Sequence, residues 1–188
     1  MQRFPNLPAA LDYAADAHQH QSRKGTTIPY LSHLMGVASL VIEHGGDEDQ
    51  AIAGLLHDVL EDCGPHHQQP IRDRFGERVS NIVLACTDGV PDARGEKPPW
   101  RTRKETYLDH LRHAPEEVLL VSACDKLHNA RAIATDLSSG EDVFARFTGG
   151  RNGTLWYYRG LAEIFAERLG RQRALVTEII STVDRVSA

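Results

Sequence analysis

The stretch GLLHDVLEDC, Gly54 to Cys63, sets His57, Asp58, Glu61 and Asp62 among leucines and valines. On a helix at about 100° per residue those four polar side chains share one arc, and Leu55, Leu56, Val59 and Leu60 fill the other. Three carboxylates near a helix C-terminus oppose the macrodipole and repel one another, an arrangement that a bound cation relieves. A plain amphipathic helix with a wet face is the alternative. A second segment, EEVLLVSACDKLHNARAI, weighs against it, because Asp125 lies in a helix that is apolar on nearly every side. A buried carboxylate is costly unless paired or bound to metal. Lys126 points about 100° away on the wheel, so an ion pair within the helix is awkward. A metal shared with His57 and Asp58 answers better, with a salt bridge to a distant Arg as the rival. His33, at the start of the apolar run SHLMGVASL, faces inward and is the further candidate ligand.

The elements that must position these residues are helical throughout. Apolar spacing stays near 3.6 and strict alternation is absent, so the fold class is all-α, with roughly eight to ten helices in one bundle. The first helix is expected from Leu7 to about His20, followed by RKGTTIPY as an irregular connection with Gly25 and Pro29. Ser32 is placed to cap the next helix, which stops at Gly45 and Gly46. Asp47 to Gln50, DEDQ, has the form of a capping box and opens the helix that carries His57 and runs to Gly64-Pro65. Further helices are expected at 70–75, 77–87, 101–113, 116–136, 153–169 and 171–186. DGVPDARGEKPPW is the longest loop, and SSGEDVFARFTGG a second flexible segment.

A chain of 188 residues fills one core, so residues 1–188 are expected to form a single domain. A net charge of −5 disfavours a nucleic-acid partner. Local basic clusters, Arg23 with Lys24 and the run Lys97, Arg101, Arg103 and Lys104, suit either a small polyanion or a solvated surface. Cys63, Cys86 and Cys124 are odd in number and widely spaced, which fits a reducing compartment. No signal-peptide pattern or membrane-spanning apolar run is present, so the expected location is the cytoplasm.

His33, the pair His57-Asp58 and the later Asp125, in that order, resemble the metal-binding signature of HD-domain phosphohydrolases. QSRKGTTIPYLSHLMGVA, AGLLHDVLEDCG, RFGERVSNIVLACTDG and ACDKLHNARAI narrow the resemblance to the hydrolase domain of the Rel/Spo alarmone enzymes, over residues 10 to 160. With no room for a synthetase domain, the chain resembles the stand-alone small alarmone hydrolases, the Mesh1-type group. That resemblance implies an HD-type helical bundle that removes the 3′-pyrophosphate from (p)ppGpp, giving GDP or GTP and pyrophosphate.

It further implies His33, His57, Asp58 and Asp125 as ligands of Mn²⁺, although the ligand types also accept Fe, Co or Zn. Glu61 and Asp62 match the catalytic pair that orients water or takes its proton. Arg23 and Lys24 match the residues that pack on the purine, Asn129 a nucleotide contact, and Arg151 with Leu155 to Tyr158 a place for 5′-phosphates and ribose. Ala132 departs from the family, where many relatives carry a polar residue, and leaves (p)ppApp as a rival substrate. Another HD-type nucleotide phosphohydrolase and a non-catalytic nucleotide sensor are the competing functions.

Overall fold

The computed structural model describes residues 3–89 and 98–188. Residues 90–97, which include most of the expected longest loop and Lys97, lie outside the described residues. Nine α-helices, short 3₁₀ and π-helical turns and one isolated β-bridge, Ser22 to Pro29, make up the regular structure among the described residues. The all-α expectation holds. None of these helices is long and apolar enough to cross a membrane. Residues 3–89 form one compact unit and residues 98–188 a second.

In the first unit, α1 (Leu7–Ala17) ends before the expected His20: the His18 amide makes the last helical bond, to the Ala14 carbonyl at 3.0 Å, and the Gln21 amide then turns back to the His18 carbonyl at 2.9 Å. Helix α2 (Leu31–Glu43) begins at Tyr30 rather than at a Ser32 cap. Ser32 lies inside the helix, its amide and that of His33 reaching the carbonyls of Pro29 and Tyr30 at 3.0 and 2.9 Å. Gly45, at φ +85°, ends α2 in a left-handed turn that lets the Gly46 amide reach the Val41 carbonyl at 2.8 Å.

The capping box forms as expected. Asp47 Oδ1 accepts from the Gln50 amide and Gln50 Oε1 from the Asp47 amide, both at 3.1 Å, and this pins the start of α3 (Glu48–Leu56). From Gln50 to Leu56 every residue of α3 is buried, against α1, α2 and α5 (Glu77–Cys86). Helix α4 (Gln68–Phe75) packs on α5, and Arg78 of α5 reaches Asp47 and Asp49 at 2.8 and 3.0 Å.

The second unit holds α6 (Trp100–His113), α7 (Glu116–Ser138), α8 (Gly150–Phe165) and α9 (Ala174–Ser187). Helix α8 starts ahead of the expected residue 153 and its last turn widens into a π-helical turn, Ala166–Gly170. Helices α7, α8 and α9 pack on one another around Leu119, Leu127, Leu161, Phe165 and Leu175, and α6 packs on α8. The segment SSGEDVFARFTGG is anchored. Val143 and Phe144 are buried in a 3₁₀ turn, and Arg146 bonds Asp136 at 2.8 Å as well as Glu141.

Candidate metal centre and catalytic helix turn

Helix α3 does not run through to Gly64 as expected. It stops at Leu56, His57 and Asp58 form a turn, and Val59–Cys63 continue as a π-helical turn closed by the Gly64 amide on the Val59 carbonyl at 3.2 Å. The helical wheel therefore holds only as far as His57-Asp58. The small residues Ala51 and Gly54 of α3 are buried. A Cβ on Gly54 would lie 3.3 Å from Ala38 Cα, so this glycine admits α2 rather than a ligand.

That close approach brings His33 of α2 to His57. Their rings meet edge to face with centroids 5.2 Å apart, His33 fully buried and His57 nearly so. His57 Nδ1 lies 2.9 Å from the Gly54 carbonyl oxygen. A carbonyl only accepts, so Nδ1 carries the proton and Nε2 presents its lone pair. Asp58 Oδ2 stands 3.0 Å from that Nε2 and 3.7 Å from His33 Nε2. One ligand atom from each of His33, His57 and Asp58 falls within 4.8 Å of the others, the described group of His, Cys, Asp or Glu that suits a metal. A lone pair and a carboxylate oxygen at such range repel unless a proton or cation stands between them. Two imidazoles and a carboxylate suit a divalent transition metal, and the Gly54 carbonyl behind His57 is the kind of support that fixes a ligand's tautomer.

Glu61 and Asp62 lie on the π-helical turn, Glu61 half-buried and Asp62 exposed. Gln21 Nε2 donates to Asp62 Oδ2 at 2.7 Å, tying that carboxylate to the segment after α1. Arg23 and Lys24 sit in the bridged turn between Ser22 and Pro29; Lys24 is exposed, and the Arg23 guanidinium lies 5.7 Å from the centre of the Tyr30 ring. Pattern reading passed over Tyr30 and Gln21. The signal for Tyr30 was its place one turn before His33.

Asp125 is buried on α7, and here the structure corrects the expectation. Lys126 Nζ pairs with Asp125 Oδ2 at 2.5 Å and Asn129 Nδ2 donates to Oδ1 at 2.6 Å. The lysine stem is long enough to fold back, with Nζ 5.3 Å from the centre of the Tyr107 ring. Burial works against the Lys126 ammonium, but the Asp125 carboxylate, with Tyr157 and Tyr107, outweighs it and holds the pKa well above the usual lysine value. Burial alone is therefore no argument for metal at Asp125.

Arg151 is exposed on α8, donating to the Ser187 carbonyl at 3.2 Å and lying over the Phe144 ring. Leu155, Tyr157 and Tyr158 are buried in the second unit. Arg101 stacks 3.3 Å above Trp156 and pairs with Glu105, and Lys104 Nζ lies 4.8 Å from the Tyr157 ring centre. These contacts give Arg101 and Lys104 a packing role. His18 is buried against Tyr30, as a packing histidine should be.

A family model described as HD domain matches residues 10–155. The chain is 36% identical over 125 residues to the Xenopus tropicalis guanosine-3′,5′-bis(diphosphate) 3′-pyrophosphohydrolase MESH1, covering 65% of this chain and 66% of that protein. The Mus musculus MESH1 enzyme is 33% identical over 130 residues, 66% of this chain and 68% of its own. A Haemophilus influenzae guanosine-3′,5′-bis(diphosphate) 3′-pyrophosphohydrolase is 33% identical, but the chain spans only 18% of its length. Among solved structures, a metazoan SpoT orthologue that hydrolyses ppGpp superposes with a TM-score of 0.77 at 22% identity, covering 98% of this chain and 97% of that one. At that identity the likeness shows the fold. A Listeria monocytogenes protein gives 0.71 at 26% identity, over 87% of this chain and 100% of its own.

Proposed function

From the premise that the chain belongs to the HD domain family, we propose that it hydrolyses the 3′-pyrophosphate of purine alarmones, (p)ppGpp to GDP or GTP plus pyrophosphate, with Mn²⁺. The observation that carries this reading is the convergence of His33, His57 and Asp58 on one point. Asp125 joins the ligand set through its sequence match. A divalent ion held there supplies Lewis acidity towards water and towards a phosphate oxygen.

The chain's own residues account for the rest. Glu61 or Asp62 takes a proton from the attacking water, Gln21 holding the Asp62 carboxylate in one orientation. The new bond joins water oxygen to the 3′-linked phosphorus, the bond from phosphorus to the ribose 3′-oxygen breaks, and that oxygen receives a proton. Arg23 offers a guanidinium plane to the purine, with Lys24 beside it. Asn129 and Arg151 are carried as substrate contacts on their sequence match. The reading places the activity in the cytoplasm, where three cysteines that form no disulfide among the described residues stay reduced.

The test is incubation of the purified chain with ppGpp and ppApp in parallel, with and without Mn²⁺, followed by separation of the products. Metal-dependent release of pyrophosphate leaving a 5′-diphosphate is expected, and the ratio of the two rates fixes the purine. Intact nucleotides in the presence of bound metal would turn the assignment to another HD phosphohydrolase or a nucleotide sensor. Glu61→Ala should lower turnover by about 10²- to 10⁴-fold while nucleotide binding persists.

A further inference from the structure

Tyr30, which has no assigned role, lies against several residues of the candidate site. Its hydroxyl donates to Asp58 Oδ2 at 2.5 Å, the same oxygen that faces His57 and His33. The ring meets His33 at 5.4 Å and 62°, and its position at the N-cap of α2 makes one helix start the source of both a candidate ligand and the group beside it. Behind it, His18 stacks at 5.2 Å and 24° and is itself buried, its Nδ1 2.6 Å from Gln21 Oε1. The Arg23 guanidinium also lies against the Tyr30 ring, with its central carbon 5.7 Å from the ring centre.

Asp58 needs such a partner. Its side chain is 21% exposed at the end of a helix, so packing alone leaves it rotamers that turn the carboxylate away from the imidazoles. A phenol held between two imidazole rings and a guanidinium has little freedom, and its hydroxyl occupies one lone-pair direction of Oδ2. The remaining lone pairs are then directed to the His33 and His57 side. Hydrogen bonds to a ligating carboxylate orient it in this way.

We infer that Tyr30 is a positioning residue: it holds Asp58 Oδ2 in ligand geometry through its hydroxyl and supports Arg23 through its ring, so one side chain serves both the metal ligands and the nucleotide-binding turn. The inference rests on the metal-site reading above and names a residue which that reading does not include. Its two halves separate chemically, since Tyr30→Phe removes only the hydroxyl and Tyr30→Leu removes the ring as well.

The experiment titrates metal-free protein with Mn²⁺ and follows the free ion by electron paramagnetic resonance, for the unsubstituted chain, both Tyr30 variants and Tyr13→Phe. Tyr13 is the control because its hydroxyl meets His67 at 2.6 Å, within the same unit. Tyr30→Phe should bind Mn²⁺ about 10- to 100-fold more weakly, with nucleotide KM unchanged at saturating Mn²⁺, and Tyr30→Leu should raise KM in addition. Tyr13→Phe should bind as the unsubstituted chain does.

Unchanged Mn²⁺ affinity in Tyr30→Phe, or an equal loss in Tyr13→Phe, overturns the inference and leaves the metal site standing. So does a fall in the melting temperature of metal-free Tyr30→Phe large enough to account for the loss, because the hydroxyl then serves the fold. No Mn²⁺ binding by the unsubstituted chain overturns the metal-site reading, and this inference with it.

Discussion

The Cys63 thiol donates to the Ala17 carbonyl at 3.3 Å and lies 3.6 Å from His18 Nδ1, a pairing with the outline of a nucleophile and its base. Electrostatics argue the other way. Burial pushes the thiol up to about 11, and the charges of Asp62 and Asp58 add to the effect. The neutral thiol is thus the form at neutral pH, and thiolate is what attacks or ligates. Alkylation of Cys63 by iodoacetamide should be slow at pH 8 and accelerate only as pH approaches about 11, measured as adduct mass against time. Rapid labelling at pH 8 would contradict this. Lys126 carries the opposite lesson, for its charge is permanent and compensates Asp125. Lys126→Ala should destabilise the chain by about 3–5 kcal/mol by stranding a buried carboxylate, read from denaturant midpoints. Residue types made the imidazole and carboxylate chemistry legible in the sequence. Tyr30 was not, because a tyrosine packs anywhere and its partner Asp58 is 28 residues away.

Between elements, the decisive contact is α2 against α3 at Gly54. A side chain there meets Ala38 Cα at 3.3 Å and Val41 Cγ2 at 3.4 Å, so the two helices must part by a few tenths of an ångström. His33 and His57 ride on those helices, and their separation follows. Gly54→Val should cost about 1–3 kcal/mol through overpacking and weaken Mn²⁺ binding together with stability. Wild-type Mn²⁺ affinity in that variant would show that the helix spacing does not govern the ligands. The capping box at Asp47 was legible because both partners lie within one turn. The π-helical turn at Val59–Cys63 was not, since its extra residue is a response to packing. It lies where a helix leaves the core and its side chains take up polar work.

At the scale of the chain, a metal that binds the native state alone stabilises it by mass action. Mn²⁺ at a hundred times its Kd should add about 2.7 kcal/mol, which for a chain of this size raises Tm by about 5–11 °C. A chelator should reverse the shift. An unchanged Tm would contradict binding to the folded state. The sequence by itself determined the all-α class and most helix boundaries to within a few residues, because these follow from local periodicity and caps, and it offered His33, His57, Asp58 and Asp125 as candidate ligands through residue chemistry and the family they resemble. Only tertiary structure decided that α3 breaks at His57, that Lys126 folds back on Asp125, and that Tyr30 meets Asp58. Each depends on which surfaces become buried against each other, and burial is a property of packed elements, which no local pattern contains.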